Sequence, residues 1–207
     1  MFDQILRIPK EKVLEPLAQG PLKNTNPTTM TVIACGVSVA AGVTAWQGQT
    51  GLTLGLWFLN RFLDGLDGTI ARVNHKQSDF GGYLDIVLDM VAYVSIPLGM
   101  ALGMNEKNVF LALALLFAAF YINSAAWMML AANLEKRGQG ATTKKELTTV
   151  TMPRAIIEGG ETILFYSLFI LFPERLTILF GLLAVLVLAS ATLQVSWAHR
   201  NIREKIG

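Results

Sequence analysis

The chain has 207 residues, 53% of them apolar and only 15% charged, with a formal net charge of +2. Charged residues fall well below the roughly 25% of ordinary soluble domains, which excludes a soluble globular protein. The charge balance points to no nucleic-acid partner, and the single cysteine, Cys35, excludes an intrachain disulfide or a cysteine-built metal site. The composition predicts an all-α integral membrane protein with six transmembrane helices behind an N-terminal amphipathic interfacial helix.

Residues 1–26 form the first predicted unit. Phe2, Ile5, Leu6, Val13, Leu14 and Leu17 alternate with Arg7, Lys10 and Lys12, the pattern of a helix lying in the interface with cations toward anionic lipid. A helix packed on the ends of the bundle fits equally well. The segment lacks the apolar core of a cleaved signal peptide. Residues 27–207 form the second unit, a six-helix domain. A spanning helix needs about 20 mostly apolar residues, and the pattern places such helices from Thr28 as cap to about Trp46, from Gly51 to Arg72 and from Gly81 to Met104. The last three run from about Val109 to Asn133, from Arg154 to Phe172 and from Leu176 to about Trp197. No internal repeat is visible, which argues against an inverted-repeat transporter.

Basic residues set the orientation. The tail carries Arg7, Lys10, Lys12 and Lys23; Arg72 and Lys76 follow span two, Lys136, Arg137, Lys144, Lys145 and Arg154 flank the loop after span four, and Arg200, Arg203 and Lys205 end the chain. The opposite side has Lys107 and Arg175. This asymmetry places both termini in the cytoplasm of a multi-pass cell-membrane protein.

The stretch DGLDGTIARVNHKQSDFGGYLDIVLD carries the chemistry. Asp64 and Asp67 are three residues apart and Asp85 and Asp89 four apart, so on helices each pair shares a face. An ionised carboxylate near the bilayer centre costs at least about 2.5 kcal/mol and marks function by default. Four together call for a counter-charge, and hard oxygen ligands suit Mg²⁺, Mn²⁺ or Ca²⁺. Arg61, one turn before Asp64, reads as an ion-pair partner for an aspartate. Arg154, Glu158 and Glu161 stand at i, i+4 and i+7 at the start of span five. An Arg154–Glu158 pair, a phosphate held by Arg154, and acceptor hydroxyls or an amine held by the glutamates are all open readings. Cation transport is an alternative use of the aspartates, though their cytoplasmic placement beside Arg72 disfavours it.

As a pattern, the stretch reads Asp64-x2-Asp67-Gly68-x2-Ala71-Arg72-x8-Gly81-x3-Asp85-x3-Asp89. It resembles the signature of the CDP-alcohol phosphotransferases at every fixed position. The resemblance implies an enzyme that moves a substituted phosphate from CDP-diacylglycerol or a related CDP-alcohol to an acceptor hydroxyl and releases CMP. It implies Mg²⁺ or Mn²⁺, two ions, on Asp64, Asp67, Asp85 and Asp89, with Asp89 also the general base. The CDP-alcohol would lie along Gly68, Ala71, Arg72 and Gly81. The acceptor would meet Arg154, Glu158 and Glu161, in a cleft open to the cytoplasmic interface, and the family is usually dimeric. Arg154 and the basic loop lean toward a polyol phosphate acceptor such as glycerol 3-phosphate or inositol phosphate. Serine, an unphosphorylated polyol and phosphatidylglycerol stay open, because Asp85-Ile86-Val87-Leu88-Asp89-Met90 matches no acceptor-specific pattern.

Overall fold

The computed structural model describes residues 14–140 and 156–202, and among these the regular structure is all helical, joined by short turns, without a strand. Residues 14–19 form a short helical segment; the remainder of the expected amphipathic helix lies outside the described residues. Leu14 and Ala18 are buried against Leu66 and Ile70, and Asn74 Nδ2 donates to the Ala18 carbonyl at 3.1 Å. The segment thus docks on one end of the bundle.

Among the described residues six helices follow: α1 Pro27–Trp46, α2 Thr50–Val73, α3 Asp79–Met104, α4 Lys107–Lys136, α5 Gly159–Leu171 and α6 Leu176–Ile202, with a 3₁₀ turn at Pro173–Arg175. Asn26 rather than Thr28 caps α1: its side chain accepts from the Thr28 N–H at 3.0 Å, and Pro27 takes the first helical position, where its missing donor costs nothing. Ser78 caps α3 by accepting from the Gly81 N–H at 3.1 Å. Asn105, at φ 51°, closes α3 in the left-handed conformation that asparagine tolerates.

Among the described residues, four segments are long and apolar enough to cross a membrane: α1, α3, α4 and Pro173–Ile202. Apolar side chains such as Leu111, Leu115, Met129, Ile178 and Val185 stay exposed on their outer faces, as lipid contact requires. The protein is a multi-pass membrane protein. α2 has the length, at 24 residues, but Arg61, Asp64, Asp67 and Arg72 break its apolar character. The expected fifth span from Arg154 to Phe172 is corrected. Its helix begins at Gly159 and has 13 residues, about 20 Å of rise against a hydrocarbon core of about 30 Å.

α1 is the central prop. It packs closely on both α2 and α3, whereas α2 and α3 barely meet along their backbones, and α4 pairs with α6. The closeness of α1 to α3 comes from small residues: Gly42 meets Ser95 and Gly99, and Gly103 meets the Ala45 and Trp46 carbonyls; a Cβ on Gly42 would stand 2.5 Å from the Ser95 carbonyl oxygen. Such small-residue seams let helix backbones approach where lipid supplies no hydrophobic drive.

An aromatic core of Trp57, Tyr166, Phe169 and Phe180, all 0% exposed, joins α2, α5 and α6. Pro97 lies inside α3 and cannot donate to the Tyr93 carbonyl four residues earlier. The Tyr166 hydroxyl donates to that carbonyl instead, at 2.6 Å. Tyr166→Phe should therefore orphan a buried carbonyl and cost about 1–3 kcal/mol, a fall of roughly 2–12 °C in Tm. A thermal scan in detergent checks this; an unchanged Tm would mean that the bond contributes nothing.

Candidate active site

α2 and α3 both pack on α1 and barely on each other, and the acidic pairs they carry come together in one polar region. Asp64 and Asp67 come from α2, Asp85 and Asp89 from α3. Asp67 is 4% exposed and near enough to Asp85 and Asp64 for their charges to act on it. The Asp64 and Asp89 side chains are 30% and 25% exposed, and Asp85 is half-buried. All four expected aspartates thus border one polar region inside an apolar bundle.

The expected cation was tested against the donor set. Asp67 Oδ2 is buried with no hydrogen-bond partner, a costly arrangement for a carboxylate oxygen and one that a hard cation would relieve. Among the described residues, no three His, Cys, Asp or Glu side chains close into a cage. Asp89 is turned to Arg61, whose Nη2 lies 2.8 Å from Asp89 Oδ1, while Arg61 Nη1 lies 3.8 Å from Asp64 Oδ2. The ion pairing expected of Arg61 is therefore present, chiefly to an aspartate 28 residues away. All-oxygen donors on two facing helices fit a divalent cation in type.

The expected nucleotide-side residues have plain local neighbours. A Cβ on Gly68 would meet Arg72 Nη1 at 3.1 Å, so the Arg72 guanidinium lies back over Gly68. A Cβ on Gly81 would stand 2.9 Å from Ser78 Oγ, so this glycine leaves room for the helix cap. Ala71 and Arg72 are half-buried on the last turn of α2.

The expected stripe of Arg154, Glu158 and Glu161 is not one helical face. Arg154 lies outside the described residues, and residues 156–158 are not helical. Glu158 is the N-cap of α5 and Glu161 its N3 residue; the two form a capping box, with the Glu158 N–H donating to Glu161 Oε2 at 3.2 Å. The approach to this cap is pinned by Ser190 Oγ on α6, which accepts from the N–H groups of Ile156 and Ile157 at 3.0 and 3.2 Å. Glu161→Ala should remove one arm of the box and cost about 1 kcal/mol, a Tm shift of about 2–4 °C. A thermal scan reads it, and no shift would leave Glu161 without this structural role.

Sequence reasoning missed a cavity of about 540 Å³ bounded by α3, α4, α5 and α6. Asp89 and Tyr93 form one wall, and Asn123, Ser124, Glu158, Thr162 and Ser190 add polar groups among mostly aromatic and aliphatic side chains. Asn123 Oδ1 is buried without a partner. Asp89 is therefore shared between the acidic cleft and this chamber. The available signals were the i, i+4 pair Asp89/Tyr93 and the isolated polar residues of span four.

Carboxylates on two membrane helices, a chamber reaching one of them and a fixed guanidinium define a site suited to charge-rich group transfer rather than to packing. Residues 24–198 match the family described as CDP-alcohol phosphatidyltransferase, and the chain belongs to that family of enzymes. The transporter alternative falls with that membership.

The inner membrane protein YnjF of Escherichia coli K12 is 35% identical over 149 residues, 71% of this chain and 70% of that protein. Archaetidylinositol phosphate synthase of Pyrococcus horikoshii is 35% identical over 77 residues, 37% of this chain and 41% of that protein. The phosphatidylinositol phosphate synthase of Mycobacterium tuberculosis with CDP-DAG bound superposes with a TM-score of 0.73 at 18% identity, over 95% of this chain and 99% of that one. The same enzyme in complex with manganese and citrate gives 0.66 at 18% identity, over 94% and 93%. At that identity the likeness establishes a shared fold.

Proposed function

We propose that this protein transfers a phosphatidyl group from CDP-diacylglycerol, or a related CDP-alcohol, to an acceptor hydroxyl and releases CMP in phospholipid synthesis. One observation supports the reading: Asp64 and Asp67 on α2 and Asp85 and Asp89 on α3 border one polar region, and the last of them, Asp89, also lines an adjoining chamber. The donor would lie along α2 with its cytidine and phosphates near Gly68, Ala71, Arg72 and Gly81, and its acyl chains in the bilayer. Asp64, Asp67, Asp85 and Asp89 would hold Mg²⁺ or Mn²⁺, two ions as the family resemblance implies, which when bound would neutralise pyrophosphate charge. Asp89 takes the proton of the acceptor hydroxyl. The acceptor oxygen then forms a bond to the β-phosphorus, and the bond from that phosphorus to CMP breaks.

Two acceptor readings have support. A polyol phosphate agrees with the inositol phosphate products in the names of the similar synthases and with Arg154 and the lysines that precede it in the sequence. An unphosphorylated polyol agrees with the chamber, whose described lining has hydroxyls, an amide and the Glu158 and Asp89 carboxylates but no Lys or Arg. In both, α2 and α5 complete six membrane-embedded helices with the termini and the cleft toward the cytoplasm. Residues 1–26 rest at the interface ahead of the catalytic unit 27–207, and two copies pair as a homodimer.

The test is CMP release by purified protein from CDP-diacylglycerol with Mg²⁺ or Mn²⁺, offering glycerol 3-phosphate, inositol 1-phosphate, inositol, serine and phosphatidylglycerol one at a time. Metal-dependent release with a single acceptor is expected and names the product. Absence of both CDP-lipid binding and CMP release would overturn the reading.

A further inference from the structure

Arg61 is held more completely than an ion pair requires. Its side chain is 10% exposed, and its guanidinium is engaged on several edges. Nε donates to Asn60 Oδ1 at 2.8 Å, Nη1 to the Tyr93 hydroxyl at 3.3 Å and Nη2 to Asp89 Oδ1 at 2.8 Å. Its faces are covered as well, with the Trp57 ring centroid at 4.9 Å and that of Tyr93 at 5.3 Å. Asn60 is itself fixed, because its Nδ2 donates to the Ala34 carbonyl of α1 at 2.7 Å. A continuous buried relay therefore runs from the backbone of α1 through Asn60 and Arg61 of α2 to Asp89 of α3.

The spacing explains how the relay is built. Trp57, Arg61 and Asp64 stand at i, i+4 and i+7 on α2, and Asp89 and Tyr93 at i and i+4 on α3, so each set shares one helix face. A planar guanidinium with directed donors fixes a carboxylate in a way that a rotating ammonium cannot. A bond whose only purpose was to join α2 to α3 would need neither two aromatic faces nor the Asn60 brace. The partner it fixes is the one aspartate that also lines the chamber.

We infer that Arg61 is a positioning residue for the transfer reaction: it holds one oxygen of Asp89 against the α1–α2 scaffold so that the other is presented to the acceptor hydroxyl entering from the chamber. This divides the four aspartates into unequal roles. Asp67, with its orphaned oxygen, faces the cation, and Asp89 is braced for proton transfer. The inference rests on the phosphotransferase reading given above.

The test compares Arg61→Met, Arg61→Lys and Asn60→Ala with the native protein in nanodiscs, measuring kcat, both KM values and Mn²⁺ binding by electron paramagnetic resonance. Arg61→Met should lower kcat by about 100-fold while KM for the CDP-donor and the Mn²⁺ dissociation constant each stay within about threefold, the pattern of an interaction used mainly in the transition state. Arg61→Lys keeps the charge without the fork and should recover about tenfold of that loss, and Asn60→Ala should lower kcat by about fivefold through the loosened brace. Should Arg61→Met fail to fold, the other two variants decide the matter. Native kcat in Arg61→Lys and Asn60→Ala, or losses confined to donor KM or Mn²⁺ affinity, would overturn the inference while leaving the reaction class intact. A native protein that releases no CMP with any acceptor and binds no CDP-lipid would overturn the reading beneath it.

Discussion

Asp89→Asn is expected to lower kcat by about a thousandfold or more while CDP-diacylglycerol binding stays within a few-fold of native, since a positioned general base contributes roughly 10²–10⁴ in rate. The substitution is conservative in shape. An asparagine oxygen can still accept from Arg61 Nη2, which now reaches Asp89 Oδ1 at 2.8 Å, and Asp64 remains 3.8 Å from the same guanidinium. The fold and the relay therefore survive, and what disappears is the capacity to take a proton. Single-turnover CMP release and a separate donor-binding isotherm measure the two quantities. Raising Mn²⁺ distinguishes the roles of the carboxylate: turnover restored at high Mn²⁺ would make Asp89 a ligand only. Undiminished turnover would remove it from both roles.

Much of the site was legible because its sequence pattern is local. Asp64 and Asp67 on one helix and Asp85 and Asp89 on the next need only helical spacing to share a region, and the apolar context makes them conspicuous. The pairing of Arg61 with Asp89 was half legible. Sequence spacing offers Asp64 as a partner, three residues away, whereas the closer bond crosses the cleft and depends on how far α1 separates the two helices. The chamber was illegible for the same reason, being assembled from four helices whose mutual packing no single segment encodes.

The helical stripe expected through Glu158 and Glu161 is a helix cap instead, and the difference comes from a physical ambiguity. Carboxylates three apart suit a continuing helix face and a capping box equally well. The decision is made by the chain around them, here Gly159 and Gly160 and the Ser190 clamp on residues 156 and 157. The length of α2 was read nearly to the residue, but its polar content belongs to the site. The helix that carries most of the chemistry is thus the one that departs most from an ordinary span.

Gly99→Ala should lower Tm by about 2–12 °C, whereas Gly36→Ala, the same added methyl on α1, should leave it unchanged or raise it slightly. At Gly99 a Cβ would fall on the Gly42 carbonyl group of α1. That obstacle is backbone, so no side chain can rotate away and the two helices must separate. Overpacking of this kind typically costs about 1–3 kcal/mol, and each kcal/mol moves the Tm of a chain this size by about 2–4 °C. At Gly36 nothing lies within 4 Å of the added carbon, and alanine gains roughly 0.5–1 kcal/mol over glycine inside a helix. The contrast also bears on activity. α1 carries the Ala34 carbonyl that braces Asn60, so the displacement that relieves Gly99→Ala pulls the scaffold away from Arg61 and Asp89. Folded Gly99→Ala should therefore lose kcat, and Gly36→Ala should keep it. Equal Tm values for the two variants would show that the α1–α3 seam yields without cost, and native kcat in a destabilised Gly99→Ala would show that the cleft does not depend on its register.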